Sequence, residues 1–229
     1  MATSGDQPRR RGLPWRRSGR RSFWRELPVL ALIAVLVAVL IRTFVMQTFF
    51  IPSGSMESTL LVDDRVLVNK VVYDFREPHR GEIVVFQPPA SWRIDPTEED
   101  FIKRVVGLPG DTVACVRDPA QRGSNTETFV GKVAVNGRAV DETYINADSP
   151  ACNQAFEVEV PAGRLFVLGD HRRASGDSRV HLADPDSPNG TISVSDVVGR
   201  AEAIYWPVNR WRFLGTPEAF DKVPDPDGR

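Results

Sequence analysis

From Leu27 to Ile41 the chain reads LPVLALIAVLVAVLI, with no charged residue. Arg42 interrupts, and TFVMQTFFI carries the apolar character on to Ile51. A helix that spans a bilayer needs about 20 mostly apolar residues. Residues 27–48 meet that length with Arg42 near one end, where a long cationic side chain reaches the headgroups. Arg9, Arg10, Arg11, Arg16, Arg17, Arg20, Arg21 and Arg25 crowd the preceding tail, against only Asp6 and Glu26. Such a tail suits nucleic acid or anionic lipid. The apolar run behind it selects the lipid bilayer, and no nucleic-acid partner is expected. The positive-inside rule then puts the N-terminus in the cytoplasm and everything after about residue 50 outside. The alternative is a cleaved secretory leader. The run outlasts a usual leader core, however, and no small-x-small cleavage site follows it. The expected location is the plasma membrane, crossed once.

The 229 residues leave room, beyond an anchor, for one large all-β domain or two small ones. The net charge of −1 hides an acidic remainder behind the basic tail. Strand-length runs rich in β-branched and aromatic residues recur at 65–72, 82–86, 101–106, 112–116, 156–160, 164–168 and 201–206, separated by Gly, Pro and Asp. KVAV-NG-RAV, centred on Asn136 and Gly137, is the strongest hairpin signal. No helical period stands out after the anchor. The expected organisation is a basic cytoplasmic tail (1–26), a transmembrane helix (27–48), an extracytoplasmic all-β domain (49–215) and a flexible tail (216–229). Tyr205, Trp206, Trp211 and Phe213 are candidates either for the core or for lipid contact.

Cys115 and Cys152 both fall in the outer part, where an oxidising compartment permits a disulfide. The alternative is two separate buried thiols. Neither belongs to a CxxC or lies near a His pair, so no metal is expected. Three other segments carry candidate chemistry. FFIPSGSMESTL places Ser53 and Ser55 around Gly54, whose small size lets the backbone turn and present a hydroxyl. The bland alternative is a polar linker. DFIKRVVGLPGD reads as a strand ending in a Pro109-Gly110 turn. Alternation puts Lys103 on one face with Phe101 and Val105, and Arg104 on the other. A lysine serves as a base only when neutral, which at an ordinary pKa of about 10.4 requires a depression of roughly 2–3 units. The alternative is a surface lysine reaching water. GDHRRASGDSR reads as a polar loop after the apolar run RLFVL, in which Asp177 and Arg179 can pair and hold its shape.

PSGSM after an apolar helix, then IKRVVGLPGD, then GDxxxxSGDSR, occur in an order that resembles the bacterial type I signal peptidase family. RGEIVVF (80–86) and VVGRAEAIYWP (197–207) resemble further segments of that family, so the likeness covers about 49–207. It implies a mainly β catalytic domain with a smaller inserted hairpin-rich subdomain at about 112–163. It implies a serine endopeptidase with Ser55 as nucleophile and Lys103 as general base. Ser53 would join the Ser55 N–H in an oxyanion hole, and Ser175 would orient the lysine. Arg104, Asp177 and Arg179 would support the site. Ile51, Pro52, Met56, Leu60 and Ile102 would wall shallow pockets for small side chains one and three residues before the cut. No cofactor is implied, and the partners are secretory precursors carrying signal peptides. The chain departs from the family pattern at Glu57, Ser58, His171 and Arg173.

Two enzymatic alternatives and one non-enzymatic one compete with this reading. A Ser-His-Asp hydrolase has only His79, His171 and His181 to use, and the adjacency of Asp170 and His171 is poor geometry for such a relay. A self-cleaving repressor-type peptidase is soluble and carries a DNA-binding part, which does not suit the apolar segment. A membrane-anchored β-domain that only binds peptides would leave a precursor uncut.

Overall fold

The computed structural model describes residues 20–40, 45–97, 99–118 and 129–226. The chain divides into two units, Met1–Ile41 and Arg42–Arg229. In the first, α1 (Arg20–Leu40) contains Pro28 in its interior. Leu27, Val29, Leu30, Leu32, Ile33, Val35, Leu36, Val37 and Val39 are all exposed on it. Consecutive exposed positions such as 35, 36 and 37 cannot share one face of a helix, so the apolar surface is not a single stripe. Among the described residues, no helix is long and apolar enough to cross a membrane. The expectation of one uninterrupted helix over 27–48 is corrected here. Met46–Phe50 is a strand, β1, paired antiparallel with β2 (Arg65–Asn69) from Met46↔Asn69 to Phe50↔Arg65. MQTFF is apolar enough to prolong the run, but Thr and Phe favour a strand, and β2 offers them a ladder.

The second unit is mainly β, as expected. Besides β1 and β2, its larger sheet holds β3 (Ile83–Phe86) and β4 (Phe101–Gly107). The smaller sheet holds β5 (Thr112–Arg117), β6 (Gly131–Val135), β7 (Arg138–Ala139) and β8 (Phe156–Glu159). The chain then returns to the larger sheet with β9 (Arg164–Leu168), β10 (Ile192–Ser193), β11 (Val197–Trp206) and β12 (Arg212–Phe213). The larger sheet runs β1-β2-β11-β3-β4-β9-β10, with β12 on β11, and the smaller runs β7-β6-β5-β8. Strands β5, β6, β7 and β8 thus form a sheet of their own, in sequence between β4 and β9.

The crossing from β4 to β5 is tightly built. Gly110 at φ +87° makes the Pro109-Gly110 turn, a conformation that costs a glycine nothing. The Asp111 carboxylate accepts from Leu108 N (2.8 Å), from Arg80 Nε (2.7 Å) and Nη2 (2.6 Å), and from Asn136 Nδ2 (2.8 Å). Asn136 and Gly137, at φ +50° and +77°, form the predicted hairpin turn between β6 and β7.

Three apolar clusters stabilise the unit. Ile51, Met56, Leu60, Val66, Val68, Ile83, Val85, Ala201 and Ile204 pack together, with Ile102 against them. Val84, Phe86, Trp92, Val105, Leu165, Val167 and Ile192 form the second. The third lies beneath the smaller sheet and includes Phe220 and Val223. Residues 216–229 were expected to be loose throughout. Phe220 and Val223 are instead buried, because two apolar side chains on a short strap gain more from burial than the strap loses in freedom. Cys115 and Cys152 form a disulfide with a Cα–Cα distance of 6.1 Å.

Candidate active site

Ser55 lies in a single 3₁₀ turn, Gly54–Met56, entered from an extended Ser53. The turn is anchored at both sides. Ile51 N donates to Asp64 O (2.9 Å) and Asp63 N to Ile51 O (3.0 Å), while Leu60 N closes on Met56 O (2.8 Å). Met56 and Leu60 are driven into the core, while the intervening Thr59 hydroxyl donates to Asp170 Oδ2. Strand β4 supplies the other half of the site. Lys103 pairs with Val84 and Arg104 with Ile83 across the β3–β4 ladder. Strand alternation sends their side chains to opposite faces, as predicted.

Lys103 Nζ donates to Ser55 Oγ at 2.9 Å and to Ile102 O at 3.1 Å. The exposures of Lys103 and Ser55 are only 4% and 7%, and Nζ lies 5.4 Å from the Phe101 ring centre. A hydroxyl and an amine in direct contact, shielded from water, have a geometry in which a base can activate a serine. Ser53 Oγ stands 3.5 Å from Ser55 Oγ and is exposed.

The loop after β9 packs against the Ser55 backbone. His171 N donates to Ser55 O at 3.1 Å. Gly169 packs so close that a Cβ there would stand 2.5 Å from Ser55 O and 2.2 Å from Ser175 Oγ. The Ser175 hydroxyl is buried and lies within reach of the Asp177 carboxylate. Asp177 accepts from Gly169 N (3.0 Å) and from Arg179 Nε and Nη2 (both 2.9 Å). Burial pushes the Asp177 carboxyl up, but the Arg179 guanidinium and these hydrogen bonds outweigh it and hold the carboxyl below the ordinary value. The expected Asp177–Arg179 pair is thus formed and shapes the loop.

Arg104 makes a second buried pair. Its Nε and Nη2 grip Asp170 at 2.8 and 2.6 Å, and Nη1 reaches Gly81 O at 2.7 Å. Its guanidinium also lies 4.3 Å from the Tyr144 ring centre. A third pair, Arg172 with Glu142, escaped sequence reasoning, as did Asp170 as the partner of Arg104. Adjacent charges in GDHRR gave no signal of which distant residue each would meet.

The expected pocket residues differ in what they present. Met56 and Leu60 have no exposure and Ile51 only 2%, so they belong to the core cluster. Pro52 and Ile102 reach the surface. Trp206, Trp211 and Phe213 are exposed and not core. The histidines do not support a Ser-His-Asp relay. His171 Nδ1 lies 3.2 Å from Glu57 Oε2, and the His181 ring stacks on Trp92 with centroids 4.4 Å apart.

Comparison with known proteins points the same way. The family model described as signal peptidase, peptidase S26, matches residues 24–206. Signal peptidase I of Mycobacterium tuberculosis is 35% identical, covering 85% of this chain and 76% of its own. A probable signal peptidase I-2 of Synechocystis is 39% identical, covering 82% of this chain and 75% of its own. Signal peptidase I of Leptolyngbya laminosa is also 39% identical, and 82% of each chain is covered. With the family match running over most of its length, the chain belongs to the signal peptidase family, peptidase S26.

Proposed function

We propose that this chain is a signal peptidase I, a serine endopeptidase that removes N-terminal signal peptides from secretory precursors with Ser55 as nucleophile and Lys103 as general base. The observation that carries the reading is the 2.9 Å contact between Lys103 Nζ and Ser55 Oγ in a water-poor site. Ser55 Oγ attacks the scissile carbonyl while the neutral Lys103 amine takes its proton. Lys103 passes that proton to the amine of the new N-terminus, which departs and leaves an acyl-enzyme, and the lysine, neutral again, then deprotonates the water that releases the signal peptide. Burial is the physical condition that favours a neutral amine over an ammonium. The Ser55 N–H and the Ser53 hydroxyl hold the oxyanion, and losing one such donor typically costs about 10²–10³ in rate. Ser175, packed on Gly169, is in this reading the hydroxyl that orients the lysine. Pro52 and Ile102, over the floor of Ile51, Met56 and Leu60, accept the small side chains one and three residues before the cut.

The same reading makes the apolar stretch within 27–48 a single anchor in the plasma membrane. The arginine-rich tail then lies in the cytoplasm, and residues from about 49 lie outside. The breadth of exposed apolar surface on α1 supports lipid as its surroundings. The test is cleavage of a secretory precursor by the purified full chain in detergent. Ser55→Ala and Lys103→Ala should each abolish release of the mature protein, whereas His171→Ala should retain it. Loss with the histidine variant and retention with the lysine variant would overturn the assignment. No cleavage by the unaltered chain would favour a peptide-binding domain.

A further inference from the structure

We propose that Glu142, from the segment between β7 and β8, is a positioning residue for the Ser55–Lys103 pair and acts through Arg172 and Tyr144. The inference rests on the catalytic reading of that pair given above. It adds a residue from the connection between two strands of the smaller sheet, outside the motifs that carry the family resemblance.

The Glu142 carboxylate is buried and holds three donors. Arg172 Nη1 reaches Oε2 at 2.9 Å, Arg172 Nη2 bonds Oε1, and Tyr144 Oη donates to Oε1 at 2.7 Å. Burial, and then the charge of Glu142, push the Tyr144 phenol well up, which keeps it protonated as a donor. From this carboxylate two routes lead to the site. Along the first, Arg172 Nε donates to Gly169 O at 2.9 Å, and Arg172 O accepts from Arg179 Nη2 at 2.7 Å. Gly169 is the residue that packs on Ser55 O and Ser175. Along the second, the Tyr144 ring lies against Arg104, which grips Asp170 and lies next to Lys103 on β4. Both routes end on neighbouring residues of one loop, Gly169 and Asp170.

The Arg172 guanidinium also donates to Ala151 O at 2.6 Å, next to the disulfide-bonded Cys152. The β7–β8 connection thus holds the loop at two points, one ionic and one a backbone carbonyl. A buried ion pair is weak evidence for stability, since apolar replacements of equal volume often do as well. What this pair offers is a fixed direction. Planar, bidentate Arg–carboxylate geometry leaves the loop one position over Ser55. The side chains that determine that position come from a strand connection 30 residues distant in sequence from Arg172.

The test is steady-state kinetics of precursor cleavage by the full chain in detergent, with each variant assayed well below its own thermal midpoint. Glu142→Gln keeps the volume but turns an amide toward the guanidinium. It should lower kcat by about 10- to 100-fold, the scale of a misplaced catalytic group, with KM unchanged. Arg172→Lys, which keeps the charge and loses the fork, should do the same. If Glu142→Gln does not fold, Glu142→Asp, one methylene short, gives the same readout. A wild-type kcat in the folded variants, or a loss that lies wholly in KM, would sink the positioning role. Ser55→Ala run in parallel separates the two claims. If it remains active, the catalytic reading itself has failed. If it is dead while Glu142→Gln is fully active, only the positioning inference has failed.

Discussion

A single added methyl tests how closely the residues around Ser55 are fitted. The Cβ of an alanine at 169 would meet Ser55 O at 2.5 Å and Ser175 Oγ at 2.2 Å. Real Cβ atoms do not tolerate such approaches. The serine hydroxyl could rotate, but the Ser55 carbonyl is held by His171 N, so the turn carrying Ser55 must shift. Gly169→Ala should therefore lower kcat by about 10²-fold, as a displacement near 1 Å does. Gly176→Ala, in the same loop but with open space at its Cβ position, should cleave a precursor as the unaltered chain does. Equal activity of the two variants would mean that the fit around Ser55 does not matter to catalysis. The small size of Gly169 has a reason the sequence could not supply, since its neighbours Ser55 and Ser175 come from two other points in the chain.

At the scale of elements, the strands were legible and their companions were not. The runs at 82–86, 101–106, 112–116 and 164–168 all became strands within a residue or two of their ends, because β-branched residues between Gly and Pro leave little else to form. Lys103 and Arg104 were correctly sent to opposite faces by the period of two alone. Strand β1 was hidden inside an apolar run, since hydrophobicity by itself does not separate the end of a helix from an edge strand. Nor could any local pattern reveal that β11 inserts between β2 and β3, a pairing across more than a hundred residues. Of the site, Ser55, Lys103 and the Asp177–Arg179 pair were readable from motif order, whereas the charges that brace it from the inserted sheet were not. The Asp177 loop behaves as one element and carries its own pH dependence. The folded carboxyl titrates below its unfolded value of about 3.9. Its stabilisation is therefore complete above that pH and disappears as pH falls through the lower, folded value. Urea midpoints measured downward from pH 6 should fall more steeply for the unaltered chain than for Asp177→Asn, which lacks the titrating group. Parallel curves would remove Asp177 from the acid response.

Over the whole second unit, two sheets must keep one relation for the loop over Ser55 to hold, and the disulfide bears on that relation. Cys115 lies on β5, and Cys152 leads toward β8, 37 residues later. Gly131 of β6 accommodates the bridge, since a Cβ there would stand 2.6 Å from Cys115 Sγ and 2.9 Å from Cys152 Sγ. Closing a loop of this length removes unfolded-state entropy corresponding to roughly 4 kcal/mol in the chain-entropy model. That is a large fraction of the stability of an ordinary domain, about 5–15 kcal/mol. The bridge also pins the backbone beside Ala151, whose carbonyl holds Arg172. Reduction should therefore lower the denaturation midpoint and also release the Arg172 side of the loop. With the protein still folded, the predicted result is a fall in kcat on reduction that reverses on reoxidation. The Ser55 and Lys103 side chains lie on segments outside the bridged stretch, so their own strand and turn should survive the treatment. An unchanged kcat in fully reduced, folded protein would mean that the smaller sheet supports the fold without steadying the site.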